Sequence, residues 1–151
     1  MDTIRMLVLE DESSLPRFRA LLEEVDIFLR SNPVHAQVHD DLTLVLAEAL
    51  SNIARHGYGD CHGRVCLQLS VSDCGVVCML RDYGAAFDPA TLGNTLPAPD
   101  SLSEGGYGWF LIRALTRDLT YTRMGEQNIL QFRIAGQRAG DVNCQSCSQN
   151  A

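Results

Sequence analysis

The chain has 151 residues, 12 basic and 19 acidic side chains and a net charge of −7, which suits one domain with a sizeable core. That balance argues against sequence-independent binding to DNA or RNA, which needs basic surface against phosphates; a single nucleotide stays open, because backbone N–H groups, a metal ion and one or two side chains suffice to hold it. No apolar run approaches the roughly 20 residues that span a bilayer, and Asp2, Glu10, Asp11 and Glu12 come too early for a signal peptide, so a cytoplasmic protein without a membrane partner is expected.

Residues 3–10 read as a strand. Leu7-Val8-Leu9-Glu10-Asp11-Glu12 superficially resembles the acidic pocket of a receiver domain, but the repeated βα units of that fold do not follow. A strand end meeting a helix N-terminus, where the dipole favours acids, explains it. Ser13 or Ser14 can cap a helix to about Arg30, with Leu15, Phe18, Leu21, Leu22, Val25, Phe28 and Leu29 as its apolar stripe, and Ser31-Asn32-Pro33 stops it. The pattern predicts a second helix over 39–55, ended by Gly57 and Gly59. Residues 64–71 alternate as a strand, Ser72-Asp73-Cys74-Gly75 is a turn, and 76–81 form a continuous apolar strand. Residues 89–103 are polar and small with three prolines, the composition of a mobile loop. A helix starts near Trp109, and 118–123 and 128–134 read as two closing strands around Gly125. One domain over 1–136 is expected, followed by a polar, disordered tail over 137–151.

The six cysteines divide by context. Cys66 and Cys78 lie inside strand-like runs and behave as small core hydrophobes. Cys61 and Cys74 stand in turn-like stretches, and Cys144 and Cys147 form a Cys-x-x-Cys in the tail. No second close pair completes a zinc set, and a secreted disulfide framework is not expected.

Three segments carry chemistry. Glu48, Asn52 and His56 recur every fourth residue, and on an α-helix each step of four advances only about 40°. They form one polar stripe among Leu42, Val45, Leu46, Ala49, Leu50, Ile53 and Ala54. A carboxylate, an amide and an imidazole on a largely buried helix need partners; a polar ligand would supply them, and so would an internal hydrogen-bond network with a solvated edge. The second segment is Asp82-x-Gly84 after an apolar strand, by itself an ordinary turn. The third is Gly105-Gly106-Tyr107-Gly108 at a helix start, by itself a weak phosphate signal. Together they make a coherent nucleotide pocket. The glycines let backbone N–H groups approach phosphates at a helix N-terminus. Asp82 can accept from the exocyclic amino group of a base, Asn52 offers an oxygen to Mg²⁺, and Glu48 can orient or deprotonate an attacking hydroxyl.

In that order the three segments resemble the boxes of the ATP-binding domain shared by gyrases, Hsp90-type chaperones, histidine kinases and MutL proteins. Glu48-x-x-x-Asn52-x-x-x-His56-x-Tyr58 matches the N box, Asp82-x-Gly84-x-Ala86-Phe87-Asp88 the first glycine box, and Gly105-Gly106-Tyr107-Gly108-Trp109-x-Leu111-Ile112 the second. Within that superfamily the chain is most similar to the anti-sigma factor serine/threonine kinases of partner-switching systems, through its short lid, His56-Gly57-Tyr58, Arg81 before Asp82 and its length. The resemblance spans roughly residues 3–135.

It implies an α/β (α+β) two-layer sandwich, with a mixed, mostly antiparallel sheet and helices on one face. It implies ATP and Mg²⁺ as cofactors, Asn52 as the metal ligand, Glu48 as the catalytic base and Asp82 on the adenine amino group. Arg55, His56, Gly84, Ala86, Phe87, Gly105, Gly106, Tyr107, Gly108 and Trp109 complete the nucleotide-contacting set. The activity implied is protein serine/threonine kinase, in a homodimer that phosphorylates an anti-sigma factor antagonist of the STAS type and in many members also sequesters a sigma factor. A nucleotide-gated sequestering module without phosphotransfer is the alternative. Two positions depart from the pattern: Ala86 replaces a common glycine, which would disfavour a φ > 0 backbone there, and the large Trp109 replaces a smaller apolar residue.

Overall fold

The computed structural model describes residues 4–57, 63–86 and 106–136, with the backbone alone at 56, 57, 106 and 107. The expected loop over 89–103, the tail over 137–151, Tyr58, Phe87 and Gly105 lie outside the described residues. In chain order the elements are β1 (Arg5–Glu12), α1 (Leu15–Ser31), α2 (Ala36–Asn52), a π-helical turn (Ile53–Gly57), β2 (Arg64–Ser72), β3 (Gly75–Asp82), α3 (Gly106–Leu115), β4 (Arg117–Met124) and β5 (Gln127–Ala135).

The five strands form one sheet in the order β1-β2-β3-β5-β4, and each neighbouring pair is antiparallel. The two-residue side-chain period sorts each strand onto two faces. Val65, Leu67, Leu69 and Val71 of β2, Val76, Cys78 and Leu80 of β3, and Leu130, Phe132 and Ile134 of β5 are buried. They join Phe18, Leu21, Val25 and Leu29 of α1, six apolar residues of α2, and Trp109 and Ile112 of α3 in one core. The intervening residues, such as Gln68, Ser70 and Gln131, are only half-buried. The helices therefore cover one face, as an α+β two-layer sandwich requires, and the described part of the sheet is wholly antiparallel rather than mixed.

Local chemistry sets the element boundaries. The Ser14 hydroxyl accepts from the Arg17 backbone N–H at 3.4 Å and caps α1, leaving Ser13 to tie the turn to β2: Ser13 N–H donates to the Gly63 carbonyl, and Gly63 N–H donates to the Ser13 hydroxyl at 2.9 Å. Helix α2 starts three residues before the expected 39, because a histidine caps it. The His35 ring nitrogen Nδ1 accepts from the Gln37 N–H at 3.2 Å, the role usually given to Ser, Thr, Asp or Asn. The helix also stops before the expected 55, giving way at Ile53 to the π-type turn. Strand β1 is shifted two residues towards the C-terminus, since Asp11 and Glu12 still pair with Val65 and Arg64.

Two hairpins close on glycine. Gly125, at φ +60°, and Glu126 form the two-residue turn between β4 and β5, matching a type II′ turn with glycine first. Gly75 sits at φ +122° at the start of β3. Among the described cysteines, Cys66 and Cys78 are free, and burial pushes the Cys78 thiol well above its ordinary pKa, so it stays an inert core residue. Cys74 in the β2–β3 turn is disulfide-bonded, a pairing that residue spacing alone does not specify. No described helix is long and apolar enough to cross a membrane.

The direction of α2 fixes where chemistry can gather. At its start, His35 and Val38 line one groove with Ser72 and Gly75 and another with Ile134 and Ala135. Its 17 residues run about 25 Å at 1.5 Å per residue, close to the span of eight-residue β3. The C-terminal end of α2 therefore lies at the Asp82 end of the sheet. Helix α3 runs the opposite way: Ala114 and Leu115 face His35 and Asp41 across the groove that Ile134 and Ala135 line, and Gly108 abuts Glu48 and Asn52.

Candidate functional site

Three elements thus meet at one end of the molecule: the last turns of α2, the end of β3 and the first turn of α3. Asn52 is 2% exposed, and its Nδ2 has no hydrogen-bond partner among the described residues. An unpaired buried amide costs about 1–3 kcal/mol, so the unliganded fold carries a polar group that awaits a partner. Glu48, one turn earlier, is half-buried and makes no hydrogen bond or ion pair among the described residues. Helix α3 approaches so closely that a Cβ built on Gly108 would lie 2.8 Å from Glu48 Oε2 and 3.8 Å from both terminal atoms of the Asn52 amide. Glycine at 108 therefore lets Glu48 keep this position, since a Cβ would push its flexible carboxylate end aside. The expected glycine turn is itself helical, since α3 starts at Gly106, which places Gly106 and Gly108 in the first turn, where N–H groups lack partners.

The four-residue stripe holds from Glu48 to Asn52 and then changes. From Ile53 the chain follows the π-type turn, which takes more residues per revolution than an α-helix, so His56 does not continue the line that regular α spacing projects. Arg55 is exposed. Such turns concentrate at functional sites.

Asp82 anchors the sheet side. It is 3% exposed on the helix-facing register of β3. Its Oδ1 accepts from the Gly84 N–H at 2.9 Å and from Asn128 Nδ2 at 2.9 Å; Oδ2 has no hydrogen bond among the described residues. Asn128, opposite Asp82 in the β3–β5 register, also donates to the Ala85 carbonyl at 3.0 Å. Arg123 donates to the Gly84 carbonyl at 2.7 Å and to Asn128 Oδ1 at 2.9 Å, and the Tyr121 hydroxyl donates to the same Oδ1. Ala86 shows no positive φ, since Asp118 alone does so among the described non-glycine residues. The departure from glycine at 86 is therefore unstrained. Trp109 packs into the core at 8% exposure.

Burial raises the Asp82 carboxyl pKa above its ordinary value, partly offset by the Asn128 and Gly84 hydrogen bonds and the Arg123 charge. In the unliganded protein the folded state then binds that proton more tightly than the unfolded chain, whose pKa is near 3.9. This group's contribution to stability is full below the unfolded value and is lost as pH rises through the folded one. Asp82→Asn keeps an acceptor for Gly84 and Asn128 while removing the buried charge. It is expected to raise the melting temperature of the unliganded protein wherever the Asp82 carboxyl is ionised in the folded state and to weaken ATP binding about 10- to 150-fold, the loss of a hydrogen bond to a charged group. Melting scans and calorimetry check both; unchanged ATP affinity would detach Asp82 from the base.

Tyr121, Arg123 and Asn128 were not singled out by motif or spacing. One signal did mark Asn128: it shares the inward register with Leu130, Phe132 and Ile134 and is the polar member of that row. Among the described residues no group of three His, Cys, Asp or Glu side chains could hold a metal ion. A metal here would therefore rely on Asn52 and on the ligand's own oxygens, a set that suits Mg²⁺. The Asn52 side-chain oxygen beside the Glu48 carboxylate fits that requirement, while the Asn52 Nδ2, without a partner among the described residues, can only donate to an acceptor on the ligand. A cavity of about 590 Å³ lies at the opposite end of α2, lined by His35, Asp41, Leu115 and Arg117, remote from this site.

Comparison with known proteins accords with this geometry. Residues 10–134 match the family model for the histidine kinase-like ATPase domain. A curated protein from Oceanobacillus iheyensis, named serine-protein kinase RsbW, is 31% identical over 87 residues, covering 53% of this chain and 55% of that protein. The chain thus spans about half the length of that relative. The family match extends over most of the chain and includes α2, Asp82 and α3: the protein belongs to the histidine kinase-like ATPase domain family.

Proposed function

We propose that the protein is an ATP- and Mg²⁺-dependent serine/threonine-protein kinase of a partner-switching system, acting as a dimer on a STAS-type anti-sigma factor antagonist and also able to hold a sigma factor. The observation that carries this reading is the buried Asn52 side chain, whose Nδ2 has no partner among the described residues, next to the Glu48 carboxylate and beneath the backbone of Gly108. Membership of the ATPase domain family and the likeness to a serine-protein kinase support it.

The residues divide the work by position. Asp82 Oδ2 accepts from the amino group of adenine. The first-turn N–H groups of α3 meet phosphate oxygens at the positive end of the helix. The Asn52 side-chain oxygen would hold Mg²⁺, which when bound would supply positive charge to the phosphates. Glu48 takes the proton from the acceptor serine or threonine hydroxyl as its oxygen bonds to the γ-phosphorus. The bond from that phosphorus to the bridging oxygen breaks, and ADP departs with the electron pair. Arg55, His56, Gly84, Ala86, Phe87, Gly105, Tyr107 and Trp109 complete the proposed nucleotide surroundings.

The test is incubation with labelled ATP, Mg²⁺ and a STAS-domain antagonist protein from the native organism, read as phosphoserine or phosphothreonine. A tight, nucleotide-dependent complex without transfer would instead assign a sequestering module. Gly108→Ala probes the active arrangement directly. Its Cβ would meet the flexible end of Glu48, so the helix persists, favoured by alanine's propensity, while the carboxylate is pushed aside. Transfer should fall about 10- to 100-fold, as for a misplacement of about 1 Å, at an undiminished melting temperature; unchanged transfer would show that Glu48 does not act from this position.

A further inference from the structure

We propose that Asn128, clamped by Tyr121 and Arg123, is the positioning residue that makes Asp82 selective for a 6-aminopurine, so that the β4–β5 hairpin sets base choice at the nucleotide site. This rests on the nucleotide reading above and adds residues that no motif contains.

The orientation of the Asn128 amide is determined by its neighbours. Its Oδ1 faces two donors, the Arg123 guanidinium at 2.9 Å and the Tyr121 hydroxyl. Its Nδ2 faces three acceptors: Asp82 Oδ1 at 2.9 Å, the Ala85 carbonyl at 3.0 Å and the Gly84 carbonyl at 3.3 Å. A flipped amide would set donor against donor and acceptor against acceptor. Asn128 is 1% exposed, so water offers no substitute partner.

The effect on Asp82 is directional. Gly84 N–H and Asn128 Nδ2 both engage Oδ1, which fixes the carboxylate plane and leaves Oδ2 as the open acceptor. An ionised oxygen can only accept. It matches the amino group at purine position 6 and repels the carbonyl oxygen that guanine and hypoxanthine carry there. A site whose acceptor is fixed rejects the wrong base more strongly than one free to turn, because its buried group is left unpaired. A hairpin-stapling role for Asn128 alone would weaken all nucleotides equally.

That difference is the readout. Affinities of the full chain with Mg²⁺ are measured for ATP, for GTP and for purine riboside triphosphate, which lacks a 6-substituent. Wild type is expected to prefer ATP to purine riboside triphosphate by about 10-fold or more. Asn128→Ala should cut ATP affinity about 10-fold while leaving the purine riboside compound nearly unchanged, so the preference collapses. Tyr121→Phe, which deletes one hydroxyl, should reduce the preference about threefold, and it decides the matter if Asn128→Ala does not fold. An unchanged preference in the folded variants overturns the inference and leaves the nucleotide reading intact. Wild type binding no triphosphate overturns both.

Discussion

Glu48→Gln is expected to lower phosphotransfer about 10²- to 10⁴-fold, the usual worth of a positioned general base, with ATP affinity essentially unchanged. The substitution keeps the side chain's size and removes only its ability to take a proton. Nothing among the described residues depends on that charge, since Glu48 has no ion pair or hydrogen bond there, so the fold should tolerate the change. The neighbouring Asn52 amide and Gly108 backbone remain available to the nucleotide. Single-turnover transfer with labelled ATP, alongside calorimetric ATP binding, separates the two quantities. Transfer at the wild-type rate would remove Glu48 from the chemistry; a parallel loss of binding would make it a nucleotide ligand instead.

Gly75→Ala is expected to destabilise the fold by at least about 3 kcal/mol, or to prevent folding. The φ of +122° lies where a side chain is rarely tolerated. A Cβ there would overlap the Ile134 carbonyl oxygen and lie 2.6 Å from the Gly136 backbone nitrogen. Both are backbone atoms of the strand that pairs with Gly75 or of its continuation, so neither can move without breaking the β3–β5 ladder. Gly125→Ala makes the internal comparison, because no atom lies within 4 Å of its added Cβ and only the φ of +60° is strained. Thermal unfolding of the two variants should separate by roughly 5 °C or more. Equal melting temperatures would refute the backbone clash at 75.

Much of this fold is legible in the sequence. The alternation through Val65, Leu67, Leu69 and Val71 and the glycines at 75 and 125 specify two hairpins without tertiary information. The core stripe of α1 follows from its 3.6-residue period. Boundaries fared worse where an unusual group did an ordinary job. A histidine ring caps α2, and a π-type turn replaces the last α turn; neither departs from helical composition. Glu48, Asn52 and Gly108 were legible as types and spacings, and their convergence is visible only in the packing of α3 on α2. The Asp82 network was the least legible part. The four bonds that tie β3 and its following turn to the β4–β5 hairpin join residues 39 to 46 positions apart, so no local window contains both partners. A polar residue in an apolar register, as at Asn128, is the sort of trace such a network leaves.

The orphaned Asn52 amide has a consequence beyond the reaction. A group buried without a partner sets a ceiling on the robustness of the empty molecule, and filling the site lifts that ceiling. Thermal endurance and readiness to accept a nucleotide are thus drawn from the same few atoms. Evolution cannot improve one by apolar replacement at position 52 without surrendering the other.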